Sequence, residues 1–207
     1  MLRVCVEEEN LWGINVSTAN DINLIKGLFT PQLSKLYINF VDGDALYAAY
    51  GAEEEEETER HVRLQEELLL VYPAMEGLIK LIPERSPKLR SLGLQTELES
   101  PKLLSSIKAV LSLATTKLHY LEHFTLNAEL SMDGSLLAAL GTVPNLRALS
   151  SCSMSSLENP KRGMDYGSFA KLERVQLFSW ERKSCLINTI RPTLAALQSI
   201  SIWLNKL

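Results

Sequence analysis

An α/β solenoid, built from repeated units of one short strand and one returning helix, is the fold this sequence predicts, and three observations predict it. A short apolar phrase of the form LxxLxL recurs in the second half of the chain. It reads HYLEHFTL with Leu121, Phe124 and Leu126, PNLRALSS with Leu146 and Leu149, AKLERVQL with Leu172, Val175 and Leu177, and AALQSISI with Leu197, Ile200 and Ile202. Its copies begin 25 or 26 residues apart. Between copies the apolar spacing lengthens to a helical one. A fixed period of roughly 20 to 29 residues with this spacing marks a leucine-rich repeat. The predicted form is therefore a horseshoe, with parallel strands on the concave face and helices on the convex face.

Within each phrase, positions one, four and six plant side chains in a common core, and positions three, five and seven point the other way. Two earlier copies fit the frame: PQLSKLYINF, with Leu33, Leu36 and Ile38, and PKLRSLGLQT, with Leu89, Leu92 and Leu94. A weaker copy opens the chain with Met1, Val4 and Val6, making seven predicted strands. Pro31, Pro87 and Pro144 each fall two residues before the first leucine of a copy, which supports the register.

Ser100 followed by Pro101 is a good helix start, and Leu103, Leu104, Ile107, Val110, Leu111 and Ala114 then recur at helical spacing. Shorter helices are predicted at Gly134 to Leu140 and at Ser184 to Ile190, the second stopped by Pro192. The interval from Leu33 to Leu89 spans about two repeats and contains the glutamate run Glu53 to Glu57. Like-charge blocks rarely pack, so the run reads as a solvated insertion leading into a helix from about Thr58 to Val71. Read another way, it is an acidic docking tail for a basic partner. Helical spacing continues through Leu64, Leu68, Val71, Met75, Leu78 and Leu81, with a kink or break expected at Pro73. The reading is one leucine-rich-repeat domain over 1–207, with an acidic and helical insertion at about 42–86.

A solenoid grows by adding repeats, so 207 residues do not call for two domains. The chain is 46% hydrophobic and 22% charged, with a formal net charge of −4. Basic residues are scattered, and no apolar run nears the ~20 residues needed to cross a bilayer, so neither nucleic acid nor membrane is an expected partner. The opening MLRVCVEEENLWG is not how a secretory signal begins, and Cys5, Cys152 and Cys185 lack any metal-ligand spacing. They read as reduced thiols of a cytoplasmic or nuclear protein. Neither end shows a capping repeat, which solenoids need, so the chain is expected to be part of a longer protein or to be closed by a partner.

No catalytic constellation is visible. His119 and His123 have the spacing of a helical metal pair, but Glu122 between them does not complete an HExxH pattern and a strand register runs through both. There is no phosphate loop, no GxSxG and no nucleophile beside a base, so the reading is a non-enzyme with no cofactor and no metal. The expected activity is capture of a protein on the concave face. Its candidate contacts are Lys35, Tyr37, Asn39, Gln95, His123, Asn127, Arg174, Gln176, Phe178 and Trp203, and the bet falls on Tyr37, His123, Arg174, Phe178 and Trp203. Tyr, Trp, Arg and Phe are the residue types that most often anchor interfaces. Trp203, near the end, equally fits a role as cover for the last repeat.

PKLRSLGLQT, HYLEHFTLNAEL, VPNLRALSSCS and FAKLERVQLFSW resemble the irregular leucine-rich repeats of F-box proteins, particularly the divergent ones of mushroom-forming fungi. The resemblance covers about residues 30 to 207. It implies the substrate-recognition half of a cullin-based ubiquitin ligase, in which an N-terminal F-box binds the ligase adaptor and the repeats capture the protein to be ubiquitinated. This chain shows no recognisable F-box, so adaptor binding is expected only if one lies outside it. The alternative is a ligase-independent regulator or an immune-type recognition module. Regular leucine-rich repeats also carry asparagine nine positions into each copy, whereas here Val41, Glu97, Glu129, Met154 and Trp180 stand there, and Asn205 only in the last copy.

Overall fold

The computed structural model describes residues 5–7, 10–16, 19–40, 72–96, 101–128, 132–151, 169, 171–179 and 199–204. The predicted helices at 58–71 and 184–190, Pro192, and every position nine in the asparagine comparison lie outside them, as do Cys152 and Cys185. The chain order is β1 (Cys5–Glu7), β2 (Asn10–Val16), α1 (Ala19–Lys26), β3 (Lys35–Phe40), α2 (72–85), β4 (Ser91–Thr96), α3 (Pro101–Thr115), β5 (His123–Ala128), α4 (Gly134–Gly141), β6 (Ala148–Ser151), β7 (Arg174–Ser179) and β8 (Ser199–Leu204).

The eight strands form one sheet in sequence order, β1 through β8, and β2 to β8 run parallel. The architecture is thus α/β, with an open parallel sheet whose successive strands are neighbours. Two expectations need correction. The opening strand is not a parallel repeat, because β1 pairs antiparallel with β2, Cys5 opposite Trp12 and Glu7 opposite Asn10. Only two residues separate these strands, enough for a hairpin and far too few for a parallel crossover. The count of seven also missed β2, so the described sheet has eight strands.

The inward positions behave as the repeat frame requires. Leu36, Leu92, Phe124, Leu149 and Val175 follow one another in register across five strands, and all are buried. Position one of the five copies in which it is described, Leu33, Leu89, Leu121, Leu146 and Leu172, is buried as well. At roughly 1.5 to 3 kcal/mol per buried aliphatic side chain, this ladder is the main stabilising element of the sheet.

A repeated backbone device sets the register. The N–H of each described position-one leucine donates to the carbonyl three residues earlier: Leu33 to Thr30 at 3.1 Å, Leu89 to Ser86 at 3.1 Å, Leu121 to Leu118 at 3.1 Å, Leu146 to Val143 at 3.4 Å and Leu172 to Phe169 at 3.0 Å. The next carbonyl then accepts two N–H groups from the following repeat. Ser34 takes Arg90 and Ser91, Arg90 takes Glu122 and His123, Glu122 takes Arg147 and Ala148, and Arg147 takes Glu173 and Arg174. Side chains reinforce this edge through Arg90 with Glu122 at 3.6 Å, Arg147 with Glu173 at 3.5 Å, and the Asn145 amide donating to the His119 carbonyl at 2.8 Å.

The helices fill the inward side. In α3, Pro101 suits the first turn because its missing N–H would have no partner there. Ile107, Val110, Leu111 and Ala114 then form its buried stripe. Asp133 caps α4 by accepting from the Leu136 N–H at 2.8 Å, and Leu136, Leu137 and Leu140 pack inward. In α2, Met75, Leu78, Ile79 and Ile82 are buried. Pro73 lies in the first turn of the described helix, where its missing N–H breaks no bond, and the helix continues through Pro83 to residue 85. The buried Ser86 hydroxyl, just past α2, donates to the Thr30 carbonyl at 3.0 Å and ties this segment to the turn before β3. No strand stands between β3 and β4, which pair directly, Lys35 with Ser91 through Phe40 with Thr96.

Candidate recognition face

The face of the sheet opposite the helices carries positions three, five and seven. The register aligns them in rows across the strands. Row three reads Lys35, Ser91, His123, Ala148, Arg174 and Ser199, and row five reads Tyr37, Gly93, Thr125, Ser150, Gln176 and Ser201. Row seven is of amides at one end, Asn15, Asn39, Gln95 and Asn127, and of aromatics at the other, where Phe178 pairs with Trp203. All ten predicted contact residues therefore fall on the three rows. For Asn127, Phe178 and Trp203 this placement rests on strand register alone.

The middle of the face is low because its side chains are small. Between β3, β4 and β5 lies an open depression of about 390 Å³, lined by Lys35, Leu36, Tyr37, Ser91, Gly93, His123 and Thr125. Tyr37 shapes it. Its ring lies across Gly93 on the neighbouring strand, so close that a Cβ on that glycine would sit 2.2 Å from the ring Cδ2. The hydroxyl reaches further along β4 and donates to Gln95 Oε1 at 2.7 Å. Glycine in a strand interior costs chain entropy and offers nothing to pack, so its presence marks a close approach by another group. Here that group is the Tyr37 ring. On the other side of β3 the β2 register slips between Leu11 and Ile14, so that Trp12 and Gly13 together stand opposite Tyr37. Such a bulge bends the strand locally and strengthens its twist.

His123 forms the opposite wall. Burial, then the Arg174 guanidinium, hold its imidazole below the usual 6.5, with Arg147 and Lys35 acting the same way and Glu122 opposing them. At neutral pH the ring is therefore uncharged, able to donate from one nitrogen and accept at the other. His119, its would-be metal partner, sits in the turn before β5 rather than on the face, and its carbonyl serves the Asn145 link. Among the described residues no group of three or more His, Cys, Asp or Glu is placed to hold a metal ion, and no helix is long and apolar enough to cross a membrane.

Sequence reasoning passed over Gly93, although a glycine opposite an aromatic on an outward position was a legible signal of contact. It also did not anticipate that Tyr37 is committed to Gln95, which makes two of the ten residues a single preformed unit. Comparison with known proteins leaves the face to speak for itself: no protein-family model matches the chain, and neither a curated protein nor a solved structure matches it.

Proposed function

We propose that this chain is a leucine-rich-repeat scaffold that binds a protein on the face of its sheet opposite the described helices. One observation carries the reading. Every strand from β3 to β7 spends alternate residues on a continuous apolar ladder and leaves the other set as an in-register array of mostly polar and aromatic residues around a low centre. An open face that extends across several strands suits a polypeptide better than a small metabolite, which is usually enclosed in a concave, largely apolar pocket.

The resemblance to F-box leucine-rich repeats extends the proposal to substrate recognition for a cullin-based ubiquitin ligase in the cytoplasm or nucleus. A regulator that binds its target without a ligase is the second reading. Affinity capture from native extract tests both, with the chain as bait beside a variant carrying Tyr37→Ala, Arg174→Ala and Phe178→Ala. The expected result is a protein retained by the parent and lost by the triple variant, with ligase subunits in the same eluate. A target without ligase subunits supports the second reading. Equal retention by both baits contradicts use of this face.

A further inference from the structure

The recognition face is lowest at β4, which presents only Ser91 and Gly93 between the outward residues of β3 and β5. The depression of about 390 Å³ is the result. Glycine weakens a strand interior, and here its lack of a Cβ leaves the space that the Tyr37 ring enters. The body of that ring rests against Gly93, and its hydroxyl donates to Gln95 Oε1 at 2.7 Å. Tyr37 is thus held in one place before any partner arrives. A wall fixed in advance loses little rotamer freedom on binding, and lost freedom is a large part of what association costs.

What the depression can take follows from which of its polar groups are already used. The Tyr37 hydroxyl serves Gln95, and Lys35 already has a partner within the fold. His123, on the far wall, is uncharged at neutral pH. With no charge to spare, the site does not select an ion. It offers ring carbon on one side, a neutral imidazole on the other, and the Ser91 and Thr125 side chains between and beside them. A planar group with an apolar body and one polar edge matches that combination, the body against the two rings and the edge toward the hydroxyls. Indole and phenol have this form, and ring pairs attract beyond the area they bury.

We infer that the depression between Tyr37 and His123 seats one aromatic side chain, a tryptophan or tyrosine, carried by the protein partner. The inference rests on the protein-binding reading above and names the anchor of what is bound. Charge complementarity points the same way, because an uncharged ring loses no hydration of an ion on entering a site that could not repay it. A polypeptide is favoured over a free aromatic molecule. The volume lies near the low end of the ~300–1,000 Å³ typical of small-molecule pockets, and such pockets bury most of their ligand, whereas this one is open to the face. A side chain delivered by a polypeptide gains the remaining contacts from its flanking residues on the neighbouring strands. Large aromatic anchors near the middle of an interface are also the usual carriers of binding energy, and β4 and β5 are the middle strands of the eight.

The test is a titration of the isotope-labelled full chain, followed by amide NMR shifts. The probes are a Gly-Ser peptide of about twelve residues with one central tryptophan, its leucine and glutamate counterparts, and free N-acetyltryptophanamide. The tryptophan peptide is expected to shift the amides of Ser91, Gly93, His123 and Thr125 and to bind at least ~5-fold more tightly than each other probe. Tyr37→Ala removes one wall and Thr125→Tyr fills the space, and each is expected to abolish that preference. Leu113→Tyr, at an exposed position of α3, leaves it unchanged. Melting curves check that each variant is folded. Equal or tighter binding of the leucine or glutamate peptide, shifts centred elsewhere, or a preference that survives Tyr37→Ala and Thr125→Tyr overturns the inference. Free tryptophanamide binding as tightly as the peptide overturns the polypeptide source. If no probe shifts these amides while the chain still captures a protein through the face, the aromatic seat fails and the protein-binding reading stands.

Discussion

Strand β4 carries two chemistries in six residues, and the contrast between them organises the molecule. Facing the helices, Leu92 and Leu94 are buried in register with Leu36 and Ile38 on one side and with Phe124 and Leu126 on the other. Facing away, Ser91 lies between Lys35 and His123 and Gly93 between Tyr37 and Thr125, while Gln95 alone has like neighbours, the amides Asn39 and Asn127. The inward set repeats because any aliphatic of similar volume fills a ladder position. Most of the outward set does not repeat, because burial does not impose one chemistry on it. Stability is therefore expected to reside in one set of alternate residues and recognition in the other.

The largest effect expected from breaking this division is on the inward side. Leu149 is 2% exposed between Phe124 and Val175. Leu149→Asp would bury a carboxylate with no counter-charge, at a cost of several kcal/mol against a typical total stability of about 5 to 15. Thermal unfolding followed by circular dichroism should show the cooperative transition lost or sharply lowered. An unchanged melting temperature would place Leu149 off the core and refute the register.

The outward side should respond mildly, with one exception. Gly93→Ala drives a methyl into the Tyr37 ring, lifts it and breaks the bond to Gln95, for a loss of roughly 1 kcal/mol. A double-mutant cycle sharpens the point. With Tyr37→Ala already present, Gly93→Ala should cost little or become slightly stabilising, because alanine restricts the unfolded chain. Additive losses in denaturant titrations would mean that the ring does not rest on the glycine.

A smaller effect follows from His123. Its folded-state pKa lies below the unfolded value, so the native state binds fewer protons around pH 6.5. The stability that the neutral imidazole contributes is present above about pH 6.5 and is lost as pH falls from there through the folded pKa. Melting temperatures of the parent and of His123→Gln at about pH 7.5 and 5.5 should show a shallower acid decline in the variant. Parallel declines would remove His123 from the account. The smallest effect belongs to the edge ion pairs. Arg90→Gln or Arg147→Gln should change stability by no more than ~0.5 kcal/mol, since these side chains are largely solvated.

The inward ladder was legible in the sequence because burial imposes a repeated chemistry. The LxxLxL frame placed β3 to β8, and the helical stretches read between its copies placed α3 and α4. It failed at β2, where the bulge at Trp12 and Gly13 puts an extra residue between Leu11 and Ile14 and destroys the spacing. It failed at α1 because Ile22 and Ile25 alone are too few to establish a helical period. It also read β1 as parallel, since side-chain alternation is the same in either strand direction. On the outward face the sequence identified which residues share a side. It could not reveal the Tyr37 to Gln95 contact, a product of rotamers and register between residues 58 positions apart.

The central claim, that recognition belongs to the face opposite the described helices, is tested most directly by photocrosslinking in native extract. A benzophenone amino acid would be placed either at Thr125, in the depression, or at Ala138, on α4. The account predicts a discrete protein adduct from position 125 and none from position 138. An adduct formed only from position 138, or equally from both, would contradict it.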